Sequence, residues 1–185
     1  MTVAVLFARG DSIYRAIPGC DVWDIERDAR RWPGGAPVIA HPPCRAWGCL
    51  RAFAKPRPDE RALAPWAVEQ VRRWGGVLEH PRGSTLWAHC GLPRPGQPRD
   101  VYGGWTLQID QHRFGHLAEK MTWLYVVADT VPLLPPPRPH SPTHVVAPSH
   151  GIRAGHPGYR KHLPKPDRER TPPLFALWLV DLARS

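Results

Sequence analysis

Sulfur is scarce and scattered in this chain: of 185 residues, four are cysteine (Cys20, Cys44, Cys49, Cys90) and two are methionine. The cysteines are irregularly spaced, with no Cys-x-x-Cys pair, so reduced thiols are expected rather than a disulfide framework. No apolar run approaches the roughly 20 residues of a membrane span, and there is no internal repeat. The apolar Val3–Phe7 stretch is too short for a secretory signal and has no basic region before it. A cytoplasmic protein is therefore expected. Acidic residues are also in deficit: 16 Asp and Glu stand against 25 Lys and Arg, a formal charge of +9. That balance suits a polyanionic partner such as nucleic acid, although arginine-rich proteins are often basic without one.

Proline and glycine, by contrast, are abundant at 24 and 16 residues, which demands long loops, while nine tryptophans and a 42% hydrophobic content argue for a packed core. The chain is organised around Pro37-Val-Ile-Ala-His41-Pro42-Pro43-Cys44. Proline fixes φ and donates no hydrogen bond, so Pro42-Pro43 stops the apolar run and sets Cys44 on a stiff loop at a strand's carboxyl end. In open α/β sheets that edge is where ligands bind.

Val3–Phe7 reads as a first buried strand, with Asp11 or Ser12 capping a short helix through Ala16. Asp21–Asp24 reads as a second strand, trailed by the carboxylates Asp24, Glu26 and Asp28, which suit either ribose hydroxyls or a solvated turn. The third strand, Val38–Ala40, follows too soon for a full strand-helix-strand unit, so the sheet is shortened here. Leu63, Trp66, Ala67, Val71 and Trp74 recur at helical spacing until Gly75-Gly76. Val77-Leu78 then delivers Glu79-His80-Pro81, again a strand end met by proline. Ser84–Cys90 allows a turn of helix, and Trp105–Gln111 and Met121–Val127 read as strands. Residues 132–170 form an irregular, basic, Pro- and His-rich loop, and a helix over 171–184 presents Leu174, Leu177, Trp178 and Leu182 on one face. The expectation is one α/β domain over 1–185.

Four motifs in order resemble those of DNA (cytosine-5) methyltransferases, the small phage-borne kind in particular. Pro42-Pro43-Cys44 resembles the family's nucleophile motif, Leu78-Glu79-His80-Pro81 its Glu-Asn-Val motif, Gln111-His112-Arg113 the start of its Gln-x-Arg-x-Arg motif, and Thr171-Pro172-Pro173 its closing motif. Trp23–Ala29 is similar to the second-strand segment, with Glu26 in the ribose-binding place. The resemblance implies a Rossmann-like methyltransferase sheet binding S-adenosyl-L-methionine through Phe7, Gly10, Glu26, Pro42 and Thr171. It implies Cys44 attack on pyrimidine C6, Glu79 as acid or N3 partner, and Gln111 and Arg113 as supporting contacts.

DNA, or a pyrimidine nucleotide, is the implied partner. Arg45, Arg51, Lys55 and Arg57 are placed to hold its phosphates. A second basic set is His140, His144, His150, Arg153, His156, Arg160, Lys161 and His162, which suits either a nucleic acid or a solvated linker. The chain departs from the family where Phe7-Ala-Arg-Gly10-Asp-Ser replaces Phe-x-Gly-x-Gly. Three other readings stand beside this one: a pyrimidine-modifying enzyme with another one-carbon donor, a catalytically silent DNA-binding protein, and a zinc site drawn from His41, Cys44, Cys49, His80, His89, Cys90 and His116.

Overall fold

The computed structural model describes residues 1–146, 152 and 154–185. His150 and Arg153 of the basic segment lie outside them. The apolar runs form strands Val3–Leu6 (β1), Cys20–Trp23 (β2), Val38–Ala40 (β3), Gly76–Pro81 (β4), Trp105–Asp110 (β5) and Met121–Val127 (β7). Ala118–Glu119 (β6), His144–Val145 (β8) and Lys161–His162 (β9) make a separate small parallel sheet. The α-helices are Glu60–Trp74 (α1), Leu86–Cys90 (α2), Lys165–Glu169 (α3) and Pro173–Arg184 (α4).

The large sheet has the order β2-β1-β3-β4-β7-β5. β2, β1, β3 and β4 are parallel, and β7 runs antiparallel between β4 and β5. Strands this apolar need cover on both faces. Val3, Val5, Ile39 and Val77 pack toward α4, and Ala4, Leu6, Val38, Ala40 and Leu78 toward α1 and α2. The result is a mixed α/β fold with a mostly parallel sheet, compatible with a Rossmann-like arrangement. From β1 the chain moves to β2 on one side and then crosses to β3 on the other. The topological switch point therefore lies between β1 and β3, where a crevice opens beyond the strand ends.

The shortening expected before Val38 is present. Both early crossovers, residues 7–19 and 24–37, carry 3₁₀ turns (Ile13–Ala16 and Ala29–Arg31) in place of helices. Ser12 precedes the first turn but makes no capping hydrogen bond through its side chain. β4 runs on through Pro81: β3 flanks it only to Leu78, so beyond that point proline's missing N–H faces an open edge.

Two expectations need correction. The described part of residues 132–170 is not simply a loop. Trp178 Nε1 donates to the carbonyls of Pro132 and Leu133 at 3.3 and 3.2 Å, His112 Nε2 lies 2.9 Å from the His140 carbonyl, and β8, β9 and α3 follow. Two-residue strands have no periodicity from which to be read. In α4, Leu174 and Leu177 are exposed, while Phe175, Leu179 and Leu182 are buried. The helix is apolar on most sides, so contact with the sheet and with Phe114, 4.9 Å from Phe175 between ring centroids, chooses the inward face.

Candidate active site

Beyond the carboxyl ends of β1, β3 and β4 lies a cavity of about 680 Å³ whose lining includes Phe7, His41, Cys44, Glu79, Lys120 and Thr171. A second cavity of about 400 Å³ adjoins it, sharing Phe7, Ala8 and Pro43 and adding Asp24, Asp28, Asp59 and Leu63. Cys44 and Glu79 thus share one chamber because β3 and β4 are neighbours in register, Ala40 opposite Leu78.

Glu79 is held from two sides. His41 Nδ1 stands 3.1 Å from Oε2, and Gln111 Nε2 donates to Oε1 at 3.0 Å. Burial pushes the carboxyl up, but the His41 hydrogen bond and the charge of Lys120 outweigh it, and the carboxyl is lowered to about 2. Glu79 is therefore a carboxylate in the free protein, an acceptor before it can be an acid. The Cys44 thiol is pushed up by burial and by the charge of Glu79, with Lys120 acting the other way.

Arg45, expected to hold phosphates, is instead engaged within the protein. Its guanidinium pairs with the fully buried Glu60, Nε to Oε1 at 2.8 Å. Removing one partner of a buried ion pair leaves an uncompensated charge. Because Arg45 is half-exposed and Arg57 still lies 3.7 Å from Glu60, Arg45→Ala is expected to cost about 1–2 kcal/mol, a thermal melt lowered by several degrees. An unchanged melting temperature would show that Arg45 is free for phosphates.

The remaining expected residues divide. Phe7, with φ 60°, lines both cavities and meets Trp66 edge-on at 5.8 Å between centroids. Pro42 and Thr171 line the larger cavity and Arg57 the smaller. Gly10 is exposed, lines neither, and a Cβ there would meet nothing within 4 Å among the described residues, so no close backbone approach among them requires glycine. Glu26 is exposed and lines neither cavity; the buried carboxylate at the end of β2 is Asp24, whose oxygens accept from the backbone N–H of Glu26 and Arg27 and from Arg15. Gln111 is buried behind Glu79.

Arg113 is drawn away from the site, donating to the Pro135 carbonyl. Arg51, Lys55 and Lys161 are exposed and Arg160 is half-buried, none of them in the lining. All four cysteines are unpaired, and among the described residues no group of three His, Cys, Asp or Glu side chains is placed to hold a metal ion. No helix among the described residues is long and apolar enough to cross a membrane.

Three groups of the site are not marked by the motifs. In the sequence His41 stands out only as a candidate zinc ligand, although a polar residue between an apolar strand and Pro-Pro marks a strand end facing a crevice. Lys120 lines the cavity with no carboxylate within 4.0 Å among the described residues, placed there by the pairing of β7 with β4. Lys165, Arg168 and Arg170 reach the cavity from the segment read as a loop.

Fold and cavity together define an α/β protein with a polar, cysteine-bearing site at the sheet's carboxyl edge. No protein-family model and no curated protein matches the chain.

Proposed function

We propose that this is a DNA (cytosine-5) methyltransferase-like enzyme in which Cys44 adds to C6 of a cytosine. The observation that carries the reading is that Cys44 and an ionised, doubly hydrogen-bonded Glu79 line one cavity at the switch-point edge of the sheet. The cysteine begins as a thiol and Glu79 as a carboxylate. As Sγ bonds to C6, the thiol proton passes through Glu79 to N3, and the C5–C6 π electrons become available at C5. After substitution at C5, water takes the C5 proton, the C5–C6 double bond re-forms and expels the Cys44 thiolate, and the N3 proton returns through Glu79 to the thiolate.

Glu79 also supplies selectivity. Before addition each base offers the carboxylate one donor, the N4 amino group of cytosine or the N3–H of uracil. On addition cytosine gains an N3–H beside its N4 amino group, whereas uracil still sets its O4 lone pairs against the second oxygen, so the discrimination falls on the adduct.

The two joined chambers fit S-adenosyl-L-methionine chemically. Apolar walls from Phe7, Ile25 and Leu63 with the carboxylates of Asp28 and Asp59 suit an adenosyl group, and Arg9 and Asp11 in the larger chamber suit an amino-acid end. Bound there, the cofactor would supply an electrophilic methyl group. Glu26 and Gly10 have no part in this arrangement, and Asp28 takes the place proposed for Glu26. A duplex base would have to leave its stack to reach Cys44, and the exposed cations Arg51 and Lys55 on the segment after Cys44 would meet its phosphates.

The test is covalent trapping with 5-fluorocytosine oligonucleotides, single-stranded and duplex, read by peptide mass spectrometry. A Cys44 adduct that requires S-adenosylmethionine and is lost in Cys44→Ser is expected. Intact DNA binding with no adduct on any substrate would overturn the reading in favour of a silent binder, and an adduct formed equally without the cofactor would point to another donor.

A further inference from the structure

Behind Glu79 the structure holds a chain of donors of which the covalent reading uses only the last links, the contacts of His41 and Gln111 to the carboxylate. Tyr14, fully buried in the first 3₁₀ turn, places its hydroxyl 3.0 Å from His41 Nε2, and His41 Nδ1 lies 3.1 Å from Glu79 Oε2. A neutral imidazole carries one N–H, and a carboxylate can only accept, so the proton belongs on Nδ1. Nε2 then presents a lone pair, and the buried phenol is the group that can donate to it. Burial and the charge of Glu79 hold that phenol protonated, which keeps the donor in place.

The other oxygen is approached in the same sense. Thr122 Oγ1 donates to the Lys120 carbonyl at 3.1 Å, so it accepts from Gln111 Nε2 at 3.0 Å, and Gln111 turns the same amide nitrogen to Glu79. The amide oxygen is left buried without a partner among the described residues, a cost that the reverse orientation would exchange for repulsion between two acceptors at Glu79.

We propose that His41, held in its Nδ1–H tautomer by Tyr14, is a positioning residue that keeps Glu79 an acceptor on both oxygens and so sets the site's preference for cytosine over uracil. The selectivity rests on the covalent reading above; the tautomer lock does not.

Two measurements test the two halves. In long-range ¹H–¹⁵N spectra of imidazole-labelled protein at pH 8, assigned by comparison with His41→Asn, His41 is expected to show a protonated Nδ1 and a lone-pair Nε2. The Nε2–H tautomer in the wild type would overturn the lock whatever the enzyme does.

Adduct yields on matched 5-fluorocytosine and 5-fluorouracil oligonucleotides then read selectivity. His41→Asn, which keeps an N–H near the Nδ1 position, should retain the wild-type ratio within about threefold, and His41→Leu should lose roughly tenfold or more of it, the scale of a hydrogen bond to a charged group. A His41→Leu protein that melts normally and keeps the wild-type ratio would sink the positioning role. No adduct from either base in the wild type would remove the covalent reading and the selectivity with it, leaving the spectrum to decide the lock alone.

Discussion

Gly76→Ala is expected to abolish the native fold or to cost at least about 4 kcal/mol, at the extreme of single-substitution effects. Gly76 opens β4 with φ +104°, and a Cβ there would lie 2.1 Å from the carbonyl oxygen of Val38 and 2.7 Å from its nitrogen. These are backbone atoms of the neighbouring strand, paired with Gly76 in register, and no rotamer change can relieve the clash. The two strands would have to separate, and the Ala40–Leu78 pair at their other end seats Cys44 beside Glu79. Gly75→Ala is the control: its φ is also positive, at +77°, but its Cβ would approach the Val127 carbonyl only to 3.3 Å, so a loss nearer 1–2 kcal/mol is expected. Denaturant melts of the two proteins decide the matter, and a Gly76→Ala variant as stable as Gly75→Ala would show that β3 and β4 do not pack this closely.

Stability should also collapse in acid, by about 3–6 kcal/mol between pH 6.5 and pH 2. His80 is fully buried, its Nδ1 2.8 Å from Ser84 Oγ, and burial lowers it to about 4. Below pH 6.5 the unfolded chain takes up a proton that the folded protein refuses until about pH 4, so stability falls across that window by about 3 kcal/mol. Glu79, depressed to about 2, acts lower down: its contribution is full above about pH 4.5 and is lost as pH falls toward 2, again about 3 kcal/mol. The two residues are adjacent and their charges interact, so the losses need not add. Urea melts at pH 7.5, 5.5 and 4.5 should show the first loss, and His80→Asn, which keeps a partner for Ser84 without titrating, should flatten it. Wild-type stability unchanged from pH 7.5 to 4.5 would contradict a neutral buried His80.

The parts of this fold that were legible are those whose cause is local. Apolar runs gave β1, β3 and the start of β4, the last two met by proline, and helical spacing ended by Gly75-Gly76 gave α1. The missing helix before β3 followed from a count of residues. Cys44 and Glu79 were both placed at strand ends, and both are in the cavity. Arg113 and Glu26 were assigned through short motifs, and neighbours distant in sequence or turns specific to this chain decide where they go: Pro135 takes the guanidinium, and Asp24 occupies the end of β2.

By itself, then, the sequence determined the layered α/β class, the strands met by proline, and the placing of Cys44 and Glu79 at strand ends, because each depends on the conformational limits and polarity of adjoining residues. The tertiary structure decided the rest: that β7 carries Lys120 to the cavity, that α3 closes one side of it, and that Tyr14, His41 and Gln111 converge on Glu79. The direct contacts to Glu79 alone come from positions 38 and 32 residues away. They are set by which strands pair and which faces pack, and no local pattern in the chain records them.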